Sequence, residues 1–284
     1  NNIWVQPASG DAGCSIGAAL VGYYQDKNNK RIINENYGMK GAFLGPKFSN
    51  EEIKKILIHL NANFEYFSDE NIIDLTCEAL SSGKAVGWYQ GRMEFGPRAL
   101  GARSILCDPR SENVKKNLNL KIKFRESFRP FAPSILEEHA NEWFNIKCES
   151  PYMMFVSKIN EKKRIYTNHE NLNKSKYDLK YVKNSEVPAI THVDYSARVH
   201  TVNKNENPFF YKLIKKFNEK NNCPILVNTS FNVRGEPIVN TPGDAYNCFM
   251  GTNLDILVLG NYFLKKQNQK KKLDTNYMAK FELD

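Results

Sequence analysis

Apolar residues recur at helical spacing in some segments of the chain and form short continuous runs in others. The spacing predicts an amphipathic helix over 208–220, with its large apolar side chains on one face. Short apolar runs predict buried strands at 85–89 and 224–227. Strands mixed with helices predict an α/β or α+β fold built on an open sheet. The further predicted helices are 51–60, 71–81, 112–120, 137–144 and 242–250, and the further strands are 104–107, 153–156, 197–202 and 255–259.

The chain divides into a short first unit and a main domain. A loop of small residues at 7–13 leads into 15–24, whose glycine and alanine content predicts a buried, closely packed helix. We expect residues 1–43 to form a first unit with its linker, and residues 44–284 to form the main domain. The Lys/Asn-rich segment 160–183 is predicted to be a mobile insertion.

Composition and charge narrow the class of protein. The 284 residues are 41% hydrophobic and 25% charged, as in ordinary globular domains. No apolar run approaches the roughly 20 residues of a membrane span, and no signal-peptide pattern is present. The six cysteines form no C-x-x-C pair. We therefore expect a cytoplasmic protein with reduced thiols and no membrane partner. Because no methionine opens the sequence, we also expect it to be part of a longer chain.

The densest chemical signal is the segment Gly91–Ser104, which directly follows a predicted strand. Its glycines permit close approach of a ligand, and Pro97 suits the first turn of a helix. Backbone N–H groups near 98–100 would then face an anion, and arginine forks match phosphate oxygens. Alternatively, the arginines hold the loop down through carboxylates such as Glu94. The arginines of the segment are Arg92, Arg98 and Arg103.

Two further segments place polar side chains in stiff loops. In Lys121–Ser134, prolines and phenylalanines accompany Lys123 and Arg129, which are either directed at a ligand or part of a basic surface loop. The segment 228–239 follows a predicted strand, where α/β folds commonly bind ligands, although an Asx-rich turn is the alternative. Its polar candidates are Asn228, Ser230 and Asn232.

A weaker cluster lies between residues 191 and 200. His192 and Asp194 are either a base with its orienting partner or a structural hydrogen-bonded pair, and Arg198 is a further candidate anion ligand. The sequence contains neither a P-loop nor a G-x-S-x-G elbow. The residues by themselves therefore indicate an arginine-rich anion site in an α/β domain.

The motifs at 91–104, 128–134 and 228–245 resemble the C-terminal domain of the NodU/CmcH carbamoyltransferase family. The segment 254–260 fits that domain too, and 6–20 resembles the end of the family's N-terminal domain. The resemblance implies a YrdC-like twisted open mixed sheet with flanking helices, preceded by a short remnant of an actin/Hsp70-type ATPase-fold domain. It implies that carbamoyl phosphate and ATP, accompanied by Mg²⁺, condense to carbamoyladenylate. The carbamoyl group then passes to a hydroxyl of a sugar, antibiotic or glycolipid-like acceptor, in a domain that holds an iron(II)-type metal.

Carried over residue by residue, the resemblance assigns most candidates to the two polyanions. Asp11 matches the aspartate ligand of the metal, whereas the paired histidines of that site have no counterpart in this sequence. The principal ligands implied for carbamoyl phosphate and ATP are Arg98, Lys123, Arg129, Arg198 and Ser230. Further cofactor-binding candidates are Arg92, Arg103, Asn228 and Asn232.

Two other functions stay open at this stage. A YrdC-like domain with a net charge of +9 also suits an RNA-binding or tRNA-modification module. Against this, the basic residues lie in ligand-type loops and Lys-rich runs and form no aromatic-interleaved face, so we do not expect a nucleic-acid partner. A non-catalytic nucleotide-binding module is the second alternative. Because the clustered arginines are all present, we expect an enzyme, an O-carbamoyltransferase.

Overall fold

A computed structural model describes residues 5–30, 39–165, 184–270 and 276–282. Within these ranges the chain has seven α-helices and nine β-strands. The helices are α1 (Asp11–Val21), α2 (Asn50–His59), α3 (Asp69–Ser81), α4 (Glu112–Leu118), α5 (Ala140–Trp143), α6 (Pro208–Asn221) and α7 (Pro242–Gly251). The strands are β1 (Glu65–Tyr66), β2 (Val86–Tyr89), β3 (Arg103–Cys107), β4 (Ala132–Leu136), β5 (Phe155–Lys158), β6 (Ser196–Val202), β7 (Ile225–Ser230), β8 (Ile256–Leu259) and β9 (Tyr262–Lys265).

The described strands form one mixed sheet in the order β1-β9-β8-β2-β3-β7-β4-β6-β5. The pairings of β3 with β2 and β7, and of β7 with β4, are antiparallel, whereas β2 with β8 and β4 with β6 are parallel. The register places Ser230 opposite Ser104, and Ser134 opposite His200. Alternate residues of a strand face the same side, so Asn228 and Ser230 share a sheet face with Ser134 and His200.

Helices α6 and α7 pack directly on the sheet and account for much of the core. Helix α6 contacts β4, β7 and α3, whereas α7 contacts β2, β8 and α2. Phe209, on α6, stacks on Trp88 with the ring centres 5.5 Å apart. Gly101 has φ +97°, and a Cβ atom there would lie 2.2 Å from the Phe210 ring, so this position requires glycine. The predicted amphipathic helix is confirmed, and its buried side chains are Phe210, Leu213, Ile214 and Phe217.

The other predicted helices and strands of the main domain are also present, with their ends shifted by a few residues. The mixed α/β sheet with flanking helices is confirmed, while the YrdC-like relationship and the ATPase-fold remnant stay predictions. Three described strands, β1, β4 and β9, were not predicted. Strand β1 has only two residues, β4 contains Pro133 within a proline-rich loop, and β9 continues into a basic tail.

The first unit differs from its prediction. Helix α1 forms, but none of its residues is buried, and Leu20 and Val21 are 47% and 50% exposed. The prediction of a buried helix is wrong, because no element among the described residues covers it. Residues 39–43 pack with Leu100 and Met153 of the main domain. The predicted boundary at residue 43 stays a prediction.

Most of the predicted insertion, residues 166–183, lies outside the described residues. Within the part of the chain that the structure describes, no helix has both the length and the apolar character needed to cross a membrane.

Candidate anion-binding site

The end of β7 and the turn after α4 bring a lysine into contact with two polar residues. Lys123 ends a π-helical turn over 119–123 and is only 4% exposed. Its Nζ atom lies 2.6 and 3.1 Å from the O and Oγ atoms of Ser230, and 2.8 and 2.6 Å from the O and Oδ1 atoms of Asn232. Burial, reinforced by the charge of Arg125, lowers the pKa of Lys123 to about 7.

Three arginines line a cleft of about 580 Å³ with this lysine. The Nε atom of Arg125 donates to Oδ1 of Asn119 at 2.7 Å, and burial with the charge of Arg129 lowers its pKa to about 10. The Arg129 side chain is 54% exposed and pairs with Glu126 at 3.1 Å. Arg234 lines the same cleft. Cations crowded in this way repel one another, so an anion bound between them would be stabilised.

A second pair of arginines lies beside β6. The Nη2 atom of Arg198 is 3.8 Å from Sδ of Met153, and its buried Nε atom has no hydrogen-bond partner among the described residues. Burial and the charge of Arg98 lower the pKa of Arg198. Arg98 makes no side-chain hydrogen bond or ion pair within the described ranges. Two neighbouring arginines without a carboxylate are typical of an anion-binding position.

A set of buried hydrogen bonds lies on the sheet face that Asn228 and Ser230 share. The Nδ2 atom of Asn228 donates to the carbonyl of Ala99 at 3.0 Å and to Oγ of Ser134 at 2.9 Å. Burial lowers the pKa of His200 to about 3, and Nδ1 of its neutral ring forms a 2.7 Å hydrogen bond with Oγ of Ser134. Oδ1 of Asn228 has no partner among the described residues. Two strand positions, roughly 7 Å, separate Asn228 from Ser230 at the lysine cluster.

The loop that follows β2 closes around a buried carboxylate. Oε1 of Glu94 accepts from the backbone N–H groups of Leu100 at 2.6 Å and Ala102 at 2.8 Å, and Oε2 accepts from that of Arg103 at 3.1 Å. No helix begins at Pro97. The predicted helix start at Pro97 is therefore wrong, and Glu94 takes the N–H group of Leu100, one of the donors expected to face a ligand.

Arg103 holds the same loop from the inside. It is fully buried, with Nη1 donating to the Gln90 carbonyl at 2.9 Å, and Nη2 to the carbonyls of Pro46 and Gly91, both at 3.3 Å. Its guanidinium carbon lies 3.5 Å from the centre of the Tyr89 ring. In this structure Arg103 thus stabilises the loop and presents no guanidinium face to the cleft.

Other candidates from the sequence lie away from the cleft. Arg92 is exposed, donates to the carbonyl of Gly45 at 3.0 Å and lines a separate cleft of about 520 Å³. Nδ1 of His192 lies 3.1 Å from Asp194, and both side chains are exposed. Asp11 is exposed in the first turn of α1, and the described residues contain no cluster of three His, Cys, Asp or Glu side chains that could hold a metal. One carboxylate alone does not fit an iron(II) ion, so the metal role of Asp11 stays a prediction.

The sequence-based candidate set omitted two arginines that line the cleft. Arg125 lies two residues after Lys123, and Arg234 lies two residues after Asn232. Both lie within the candidate segments 121–134 and 228–239, so the sequence signal that could have identified them is their closeness to Lys123 and Asn232. Nothing in their local pattern distinguishes them from surface arginines.

Comparison with known proteins identifies relatives across the whole chain. The carbamoyltransferase C-terminus family matches residues 77–266. The Synechocystis sp. protein sll1178 is 48% identical over 100% of this chain and 46% of its own length. Nodulation protein NolNO of Sinorhizobium fredii is 40% identical over 94% of this chain and 36% of its own. The 3'-hydroxymethylcephem-O-carbamoyltransferase of Amycolatopsis lactamdurans is 33% identical over 66% of this chain and 32% of its own.

The chain spans less than half the length of each of these relatives. The resemblance drawn from the motifs at 91–104, 128–134 and 228–245 is confirmed, because all three lie within the residues that match the family. The chain belongs to the carbamoyltransferase family.

Proposed function

We propose that this chain binds ATP in the cleft and carbamoyl phosphate at the pair Arg98 and Arg198, activates the carbamoyl group as carbamoyladenylate, and serves O-carbamoyl transfer. The observation that carries the proposal is the presence of two cationic groups on one sheet face. Arg98 and Arg198 form one group, and Lys123 forms the other with Arg125, Arg129 and Arg234. Two such groups suit two phosphate-bearing ligands, one at each group.

The proposed chemistry requires no nucleophilic side chain. Water cleaves the phosphoryl bond of carbamoyl phosphate, which releases inorganic phosphate and carbamate. A carboxylate oxygen of carbamate attacks the α-phosphorus of ATP, and pyrophosphate leaves with the electron pair of the broken P–O bond. The protein's contribution is to hold two polyanions together and to neutralise the charge that moves onto pyrophosphate.

The surroundings of each cationic group support assigning a different ligand to each. We assign Arg98 and Arg198 to carbamoyl phosphate, because Oδ1 of Asn228 nearby has no partner among the described residues and can accept from a carbamoyl N–H. The lysine cluster then takes the ATP phosphates. Mg²⁺ supplies further charge neutralisation when bound with ATP. Ser230 and Asn232 direct their oxygens at Lys123, so the ATP phosphates and water would hold the metal.

The acceptor belongs to the same proposal. The name of the Amycolatopsis relative describes O-carbamoyl transfer to a hydroxymethyl group. We propose a hydroxyl-bearing acceptor for this family member too, and a cytoplasmic location where ATP is available. Because the relatives are more than twice as long, we expect residues of the longer protein to take part in acceptor transfer.

The direct test is exchange of labelled pyrophosphate into ATP. We expect exchange that depends on carbamoyl phosphate and that Arg98→Ala lowers by roughly ten- to a hundredfold at limiting carbamoyl phosphate. Equal exchange with and without carbamoyl phosphate would contradict the proposal, as would no exchange while both ligands bind. A salt-dependent RNA mobility shift tests the tRNA-modification alternative, for which we expect no sequence-dependent binding.

A further inference from the structure

The C-terminal segment 276–282 packs against the loop that carries Arg234, although it lies beyond the residues that match the family. Tyr277 is 5% exposed, and its hydroxyl donates to Oε1 of Glu236. Phe281 meets the Tyr277 ring edge-on, with the ring centres 5.3 Å apart. An aromatic pair and a buried hydrogen bond therefore attach this segment to the cleft loop.

Two glycines of the family-matched region fit this segment closely. Gly251 ends α7, and a Cβ atom there would lie 2.1 Å from Cγ of Tyr277. Gly235 has φ +76°, and a Cβ atom there would lie 2.2 Å from the carbonyl oxygen of Glu282. Any larger residue at either position would displace the segment. The sheet domain is thus shaped to receive it at two separate points.

Glu236 transmits this contact to the cleft. Its carbonyl accepts from Nδ2 of Asn232 at 2.6 Å, and Oδ1 of Asn232 accepts from Nζ of Lys123 at 2.6 Å. Its Oε2 atom accepts from the backbone N–H of Val233 at 2.8 Å. The two carboxylate oxygens are therefore divided between the C-terminal segment and the loop itself. Continuous contacts run from Tyr277 through Glu236 and Asn232 to Lys123.

We infer that Tyr277 is a positioning residue for phosphate binding, an assignment that rests on the proposed function. Its hydroxyl fixes the Glu236 carboxylate, and Glu236 holds the turn that carries Arg234 into the cleft. Without the hydroxyl, Glu236 loses a buried donor and the turn is held less firmly. The cleft would keep its charges but lose their arrangement around the ligand.

The test compares matched Tyr→Phe variants in the full chain. Tyr277→Phe removes the hydroxyl and keeps the ring, whereas Tyr246→Phe removes the hydroxyl of another buried tyrosine, which lies 3.3 Å from Gln269 and does not line the cleft. We expect Tyr277→Phe to weaken ATP binding roughly tenfold by titration calorimetry, and the control to weaken it less than about twofold. Gly251→Ala, which occupies the space of the Tyr277 ring, should weaken ATP binding in the same direction.

A double-mutant cycle separates positioning from a general loss of stability. In an Arg234→Ala background, Tyr277→Phe should cost clearly less ATP affinity than it does alone, because both changes act through the same turn. Fully additive effects, or Tyr277→Phe binding ATP as tightly as the parent protein, would overturn the inference and leave the proposed function standing. A parent protein that binds neither ATP nor carbamoyl phosphate would overturn the proposed function and this inference with it.

Discussion

The Nζ atom of Lys123 lies 2.6 Å from Oδ1 of Asn232, a residue 109 positions further along the chain. This contact joins the turn after α4 to the end of β7, which are two separate motifs in the sequence. It places the amine among four oxygen acceptors, two of them backbone carbonyls. Lys123 therefore organises the cleft as well as charging it, and burial lowers its pKa to about 7.

The first prediction concerns pH. We expect ATP affinity to fall as pH rises from about 7 to about 9, because Lys123 loses its proton in that range. The folded pKa lies below the ordinary value of 10.5, so the folded protein holds fewer protons between about pH 7 and 10.5. Over this range the contribution of Lys123 to the free energy of unfolding therefore increases as pH rises, whereas the affinity for ATP decreases. Titration calorimetry across pH 6.5–9 measures the affinity at roughly half-unit steps.

Lys123→Met provides the control for the pH experiment. It should bind ATP weakly at every pH and lose the decline between about pH 7 and 9, because Lys123 is the one lysine among the described residues that line the cleft. A parent protein whose affinity stays constant over that range would show that the Lys123 charge does not contact the ligand.

The second prediction contrasts two arginines of one loop. Arg98→Ala should weaken carbamoyl phosphate binding by roughly ten- to a hundredfold, since one charge-assisted hydrogen bond is worth about 1.5–3 kcal/mol. Its melting temperature should change little, because Arg98 has no side-chain partner within the described residues. Arg103→Ala should lower the melting temperature by several degrees, because three backbone carbonyls lose their donor. A large loss of stability with unchanged affinity in Arg98→Ala would reverse the two roles.

The third prediction tests the buried carboxylate of the loop after β2. Glu94→Gln keeps the size of the side chain but turns an amide donor toward backbone N–H groups that now donate to a carboxylate. We expect a loss of roughly 1–3 kcal/mol in the free energy of unfolding, measured by urea denaturation. Glu51→Gln, on the exposed first turn of α2, is the matched control and should change the stability by less than about 0.5 kcal/mol. Equal stability of both variants would mean that Glu94 does not organise the loop.

The outline of the fold follows from sequence periodicity, but the roles of individual charges do not. Helix α6 was predictable because its apolar residues repeat at helical spacing and all bury the same face. Arg98 and Arg103 share a motif, yet one has no side-chain partner in the described ranges and the other is fully buried. The difference arises from the alternation of β3, whose register turns Arg103 inward beneath Tyr89. That register depends on pairing with β2 and β7, which local sequence does not reveal.

The exposed helix α1 shows that burial of a helix cannot be predicted from its composition alone. Small and apolar residues indicate that a helix can be closely packed, but they do not say whether a neighbour is present. Among the described residues no neighbour covers α1. Tertiary context also decides the loop at Pro97, where no helix begins and Glu94 accepts from the N–H groups of Leu100 and Ala102.

The last prediction concerns Asn228, whose amide donates to the carbonyl of Ala99, the residue next to Arg98, and to Oγ of Ser134. Asn228→Asp replaces the Nδ2 donor by an oxygen that faces the Ala99 carbonyl 3.0 Å away, and it places a negative charge near the arginine pair. We expect a loss of roughly 1–3 kcal/mol in unfolding free energy and at least about a hundredfold loss in carbamoyl phosphate affinity, because the new carboxylate competes for the arginines. Thr229→Ser, one residue further on and on the opposite face of β7, is the control and should bind normally.

Binding of inorganic phosphate, measured in parallel, distinguishes recognition of the carbamoyl group from a structural effect of Asn228 on the site. If Asn228 recognises the carbamoyl N–H, the milder Asn228→Ala should lose more affinity for carbamoyl phosphate than for inorganic phosphate, because inorganic phosphate has no such donor. Equal losses for both ligands would confine Asn228 to holding the loop of Ala99 in place.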